Sequence, residues 1–156
     1  MNTLILYATK HGAAREIAER IAAHMDTATL HDLKQANIPS PADFDCVIIG
    51  SALYAGTIRK EVKHFLSQNE TQLRGKKIGL FLSGMGTDNE QTHFSNNFPP
   101  DLLQTASATG LLGGIFDPRK AGALERLIMK VVTKQSGYTN TISDEKIARF
   151  AETMRA

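Results

Sequence analysis

The sequence predicts an α/β fold, a three-layer αβα domain on a parallel sheet, and three observations carry that prediction. Apolar runs too short for helices and without alternation recur at residues 4–7, 46–50 and 77–82, the pattern of strands covered on both faces. Stretches with three-and-four apolar spacing separate them, as crossover helices require. Each run also opens into a loop of glycine and small residues, at 9–14, 51–56 and 83–88, and in such sheets ligands sit outside the carboxyl ends of the strands.

The elements follow in order. Leu4, Ile5, Leu6 and Tyr7 form the first strand, and Thr9-Lys10-His11-Gly12-Ala13 leads into a helix whose buried face is Ala14, Ile17, Ala18, Ile21, Ala22 and Met25. A strand feeding a helix through so tight a loop aims unpaired backbone N–H groups and a positive dipole end at the strand edge, where an anion fits. Gly12 permits a positive φ, Thr9 offers a hydroxyl, and Lys10, His11 and Arg15 add charge. The same residues also describe an ordinary βα turn.

Residues 27–31 form a short strand, and the prolines at 39 and 41 mark a loop. The second buried strand, 46–50, ends in the loop Ser51-Ala52-Leu53-Tyr54-Ala55-Gly56, after which Ile58, Val62, Phe65 and Leu66 mark a helical face. The third, 77–82, opens into Ser83-Gly84-Met85-Gly86-Thr87-Asp88. Residues 89–107 are polar and irregular, with a helix starting at Pro99-Pro100. Residues 109–116 read as one further strand, bulged at Gly113-Gly114. Leu124, Leu127, Ile128, Val131 and Val132 give an apolar helical face opposite Arg126, Lys130 and Lys134, and Gly137 ends that helix. Ser143 caps a last helix that buries Ile147, Phe150, Ala151 and Met154.

The chain of 156 residues, 42% hydrophobic and 22% charged, suits a single domain spanning 1–156. No apolar run approaches the roughly 20 residues of a membrane span, and the start lacks a signal-peptide pattern, so a cytoplasmic location is expected. The single Cys46 excludes an internal disulfide and reads as a small core residue. The five histidines show no metal-ligand spacing, and no metal is expected. A net charge of +2 is too mild to imply nucleic acid. Residues 117–134 alone carry five Lys or Arg against two acids, a net +3. That basic stretch is either a solvated helix face or a surface for anionic lipid, and the second reading expects salt-sensitive liposome binding through 119–134 on the inner face of the membrane.

Taken together, the three loops and the five strands resemble the flavodoxin fold, which implies strand order 2-1-3-4-5 and FMN at the switch point. The flavodoxin phosphate loop reads T/S-x-T-G-x-T, and Thr9-Lys10-His11-Gly12-Ala13-Ala14 departs from it at His11 and Ala14, leaving charge from Lys10, His11 or Arg15 to compensate. Within that superfamily the chain is most similar to the menaquinone-dependent protoporphyrinogen oxidases, flavodoxin-like enzymes of haem synthesis. Three segments carry this similarity: Thr9-Lys10-His11-Gly12 with Arg15-Glu16-Ile17-Ala18, the stretch 47–65, and 113–141 with Glu125-Arg126-Leu127-Ile128-Met129-Lys130.

The resemblance implies that residues 9–14 hold the FMN phosphate while the loops 51–56 and 83–88 flank the ring, the latter through Ser83, Gly84, Met85 and Gly86. Tyr54 stacks on that ring or packs over the sheet edge. With no aromatic residue in 83–88, Met85 or Leu53 takes the second side, and Asp88 is a ligand contact or a turn residue. Three functions follow: an FMN oxidoreductase passing electrons from a protoporphyrinogen-like substrate to a quinone, an electron carrier docking on a redox protein, or a binding domain that has lost its flavin. No catalytic acid or base is identified. Carrier flavodoxins are acidic, and a neutral or basic shell around the flavin predicts a milder potential, suited to a quinone.

Overall fold

A computed structural model describes residues 1–86, 88–120, 122–123, 125–127 and 137–156. Strand β1 (Asn2–Ala8) is buried from its second residue onward, and helix α1 (Ala13–Ala22) follows it. Then come β2 (Thr27–Asp32), a 3-10 turn at Pro41–Asp43, β3 (Cys46–Tyr54), β4 (Thr57–Ile58), α2 (Lys60–Gln68), α3 (Glu70–Leu73) and β5 (Lys77–Ser83). The chain continues through α4 (Glu90–Asn97), α5 (Pro100–Thr105), β6 (Ala108–Leu111), β7 (Ile115–Phe116), β8 (Thr139–Asn140) and α6 (Asp144–Arg155).

Five parallel strands pair in the order β2-β1-β3-β5-β6, the 2-1-3-4-5 winding expected for the parallel strands counted along the chain. Successive strand residues point to opposite faces, so each strand feeds two cores. Leu4, Leu6, Val47, Ile49, Leu80 and Leu82 pack with Val62, Phe65 and Leu66 of α2 and with Phe94 of α4. Ile5, Tyr7, Cys46, Ile48 and Phe81 pack with Ile17 and Ile21 of α1 and with Ile147, Phe150 and Met154 of α6. These are the two helical layers of an αβα sandwich. Burial pushes the Cys46 thiol above its ordinary pKa, as befits the core residue expected from sequence.

Several expectations are corrected. Residues 51–54 are not loop: β3 runs on to Tyr54 and turns back through Ala55-Gly56 into β4, pairing Leu53 with Ile58 and Tyr54 with Thr57. Both turn residues have positive φ, 50° and 77°, as a two-residue hairpin with right-handed strand twist requires. Ile58 therefore belongs to a strand, and α2 begins two residues later. Residues 109–116 are not one strand either, because at Gly113 the backbone takes φ 103° and leaves the sheet. Ile115 and Phe116 pair antiparallel with Asn140 and Thr139 instead.

The region 89–107 holds two helices rather than one. Helix α4 buries only Phe94, so it carries no apolar stripe to announce it. Helix α1 stops at Ala22, with Met25 packed beyond it against the core. Helix α6 follows its expectation closely: the Ser143 hydroxyl accepts from the Lys146 N–H at 3.2 Å, and Ile147, Phe150, Ala151 and Met154 are buried. In the expected helix after residue 121, Leu124, Ile128, Lys130, Val131, Val132 and Lys134 lie outside the described residues. Leu127, expected on its apolar face, is 58% exposed. No described helix is long and apolar enough to cross a membrane.

Candidate functional site

Strands β1, β3 and β5 end at the same edge, so their exits converge. A cavity of about 400 Å³ opens there, within the range of about 300–1,000 Å³ typical of small-molecule sites. Thr9, Lys10, His11 and Ala13 line it from the first exit, Ala52, Leu53, Tyr54, Ala55 and Gly56 from the second, and Ser83, Gly84, Met85 and Gly86 from the third. Three of the residues expected at the site lie off this lining. Gly12 is the N-cap of α1 at φ 105°, Ala14 is wholly buried against the sheet, and Ser51 is wholly buried. The Ser51 hydroxyl donates to the Ala52 carbonyl and accepts the Arg59 N–H, each at 2.9 Å, which fastens the hairpin to the start of α2.

The first loop is built for an anion. The Gly12 N–H donates to Thr9 Oγ1 at 2.8 Å, closing the turn, while no side chain caps the following helix. The first-turn N–H groups of α1, a helix of ten residues that starts at the cavity-lining Ala13, thus have no side-chain cap, and the positive end of the helix dipole lies there. Arg15, expected to add charge, instead pairs with Glu19 at 3.0 Å on an exposed face. Of the three residues expected to add charge there, Lys10 and His11 do line the cavity.

Lys10 Nζ lies 3.4 Å from the centroid of the Tyr54 ring, a cation–π contact that joins the first loop to the second. Its other partner is a residue that the sequence reading missed. Glu125 reaches Lys10 Nζ at 2.7 Å through Oε1 and His11 Nε2 at 2.9 Å through Oε2. Burial pushes the Glu125 carboxyl up, but the hydrogen bonds and charges of Lys10 and His11 outweigh it and leave the group below the usual carboxylate range. It is therefore ionised at neutral pH.

Further wall residues were equally invisible in the sequence. His93 contributes an imidazole from α4, and Gly114, Ile115, Phe116 and Asp117 enter because the chain turns away from the sheet at Gly113. Phe116 supplies a second aromatic side chain to the lining, where the sequence offered only Met85 or Leu53. Arg119 donates to both oxygens of Asp117, at 3.1 and 3.0 Å, and these bonds hold the Asp117 carboxyl below its ordinary pKa. Asp88 is exposed and off the lining, in a turn as one of its two readings held. Among the described residues no cluster of His, Cys, Asp or Glu has the makings of a metal site.

The residues fit a flavin mononucleotide. A helix terminus without a side-chain cap stands at one loop with Lys10 and His11, and apolar and aromatic walls stand at the others. The chain is 24% identical, over 172 aligned positions covering 97% of it and 93% of the relative, to the protoporphyrinogen IX dehydrogenase (quinone) of Escherichia coli K12. Among solved structures it resembles a short-chain flavodoxin associated with a bacterial microcompartment, with TM-score 0.64, 19% identity and coverage of 99% and 97% of the two chains. It also resembles a flavoprotein from Lactobacillus acidophilus in complex with FMN, with TM-score 0.52, 18% identity and coverage of 72% and 91%. A family model for the flavodoxin domain matches residues 4–143. The chain belongs to the flavodoxin-domain family.

Proposed function

We propose that this chain is an FMN-dependent oxidoreductase that takes two electrons and two protons from a reduced, protoporphyrinogen-like substrate and delivers two of each to a quinone. The observation that carries the reading is the convergence of three strand exits on one cavity with an uncapped helix N-terminus at one end. The E. coli relative, named for protoporphyrinogen and quinone and aligned over nearly the whole of both chains, supports the substrate class.

Bound FMN would supply the two-electron redox chemistry. The residues of this chain would bind and position it. The N–H groups of α1 with Lys10 and His11 hold the phosphate, and Tyr54, Met85 and Phe116 wall the ring from water. His93 sets an imidazole on the cavity wall, a group of the right type to accept a proton released by substrate. The balance of the cavity is apolar, and Asp117 on its lining is neutralised in place by Arg119. Such a shell favours a milder reduction potential than an acidic one.

The test begins with the visible absorption spectrum before and after adding FMN and desalting. A retained flavin spectrum is expected. Anaerobic assays with a porphyrinogen and a menaquinone analogue then separate the enzyme from a carrier, which would exchange electrons with a redox protein and leave porphyrinogen unconsumed. A retained flavin with a potential as low as that of carrier flavodoxins would overturn the quinone assignment.

Contact with the membrane forms part of the same reading, since quinones reside there. Its support is the exposure of Leu127 beside the exposed Arg126. Binding to vesicles containing anionic phospholipid is expected to be weak and to disappear as salt is raised. Binding that persists when Arg126, Lys130 and Lys134 are all replaced by Gln would remove the membrane contact from the proposal.

A further inference from the structure

We infer that Glu125 is an intramolecular anionic competitor for the phosphate end of the cavity, so that its carboxylate must give up Lys10 and His11 before a phosphorylated ligand seats fully. The inference rests on the reading of the cavity as an FMN site. It goes further in assigning a role to a residue outside the three loops.

The geometry is that of a bound anion. Each carboxylate oxygen takes one partner, Oε1 the Lys10 ammonium at 2.7 Å and Oε2 the His11 ring at 2.9 Å. The Glu125 side chain is only 16% exposed and the two partners are 27% and 31% exposed, so the group is set into the cavity wall rather than lying on the surface. Carboxylate and phosphate oxygens are alternative acceptors for the same charged N–H donors. A phosphate drawn to the open end of α1 would meet Lys10 and His11 already committed, with a negative charge between them. Like charges so close, in a partly buried site, cannot both be held well.

The same contact reaches the other end of the ligand. The ammonium that Glu125 holds is the one lying over the Tyr54 ring, itself part of the cavity lining. Release of Glu125 therefore frees Lys10 and His11 for phosphate and leaves the Lys10 ammonium with Tyr54 as its remaining partner. Among the described residues no other carboxylate lining the cavity is placed to substitute, since Asp117 is fastened by both oxygens to Arg119.

A fixed-scaffold role for Glu125, orienting Lys10 and His11 so that they keep their places when phosphate arrives, predicts the opposite sign. Glu125→Gln and Glu125→Ala decide between them. Flavin fluorescence titrations of the full-length apoprotein would compare FMN with riboflavin, which lacks the phosphate, and His11 ring resonances would be followed by NMR as inorganic phosphate is added. The ratio of FMN to riboflavin affinity is expected to rise about tenfold in both variants, and phosphate to perturb His11 at lower concentration. A ratio that is unchanged or lower overturns the inference while leaving the FMN reading intact. Phosphate acting on His11 more readily in the variants, with no flavin bound by any form, supports the competitor and overturns the FMN reading. No response of any form to either ligand overturns both.

Discussion

Replacing Gly113 by alanine is expected to lower the free energy of unfolding by about 3 kcal/mol or more, the sum of backbone strain and overpacking. The residue has φ 103°, a region that side chains with a Cβ rarely enter. A Cβ there would also lie 2.2 Å from the Thr141 carbonyl oxygen and 2.6 Å from the Ile142 Cα. Both obstacles are backbone, so no rotamer change relieves them. The surrounding bonds leave little room for a shift. The Gly113 carbonyl accepts the Gly84 N–H at 3.0 Å, the Gly114 carbonyl accepts the Thr141 N–H at 2.8 Å, and the Gly114 N–H donates to Thr141 Oγ1 at 3.1 Å.

That clamp ties the third loop of the cavity to the segment before α6, so the substitution should also weaken flavin binding by displacing Gly84. Denaturant titration measures the first effect, with Gly122→Ala as control. Nothing lies within 4 Å of a Cβ at Gly122, and a change within about 0.5 kcal/mol is expected there. A Gly113→Ala protein as stable as the control would mean that the crossing yields more readily than its contacts indicate.

The same glycine shows where the sequence stopped being legible. The strands could be read because a parallel strand buried on both faces must be apolar throughout, and residues 4–7, 46–50 and 78–82 meet that condition. Helix α6 could be read because its cap, its acidic first turn and its apolar stripe agree. The Gly113 turn could not, since Gly-Gly between apolar residues describes a bulge as well as a departure from the sheet. What decides is the antiparallel pairing with residues 139–140, more than twenty positions away.

The site divides along the same line. The loops after β1, β3 and β5 follow from local chemistry, because each strand must end and each exit is rich in small residues. Ser51 to Tyr54 resemble a loop for that reason, yet remain strand because Ser51 and Ala52 still pair with β5 and β4 folds back to pair with Leu53 and Tyr54. Glu125 meets His11 across 114 residues, and no periodicity or motif encodes a contact of that span. His93 sits on a helix with one buried apolar residue, so nothing nearby gave its orientation.

The second large effect concerns Lys10. Lys10→Met is expected to weaken FMN binding by about 10- to 100-fold, the worth of one charge-assisted hydrogen bond to phosphate, while riboflavin affinity changes by less than about threefold. Methionine keeps an apolar chain of similar length over the Tyr54 ring, so the aromatic wall stays covered and the charge alone is removed. Equal weakening of both flavins would locate the contribution of Lys10 at the ring, through its contact 3.4 Å from the Tyr54 centroid, and not at the phosphate. Combining Lys10→Met with Glu125→Gln sharpens the result. The two residues share one contact of 2.7 Å, so their effects should not add. With Lys10 gone, Glu125 competes only for His11, and its replacement should gain less FMN affinity than it does in the parent protein. A gain of the same size in both backgrounds would mean that Glu125 opposes phosphate through His11 or through its own charge, with no exchange of partners at Lys10.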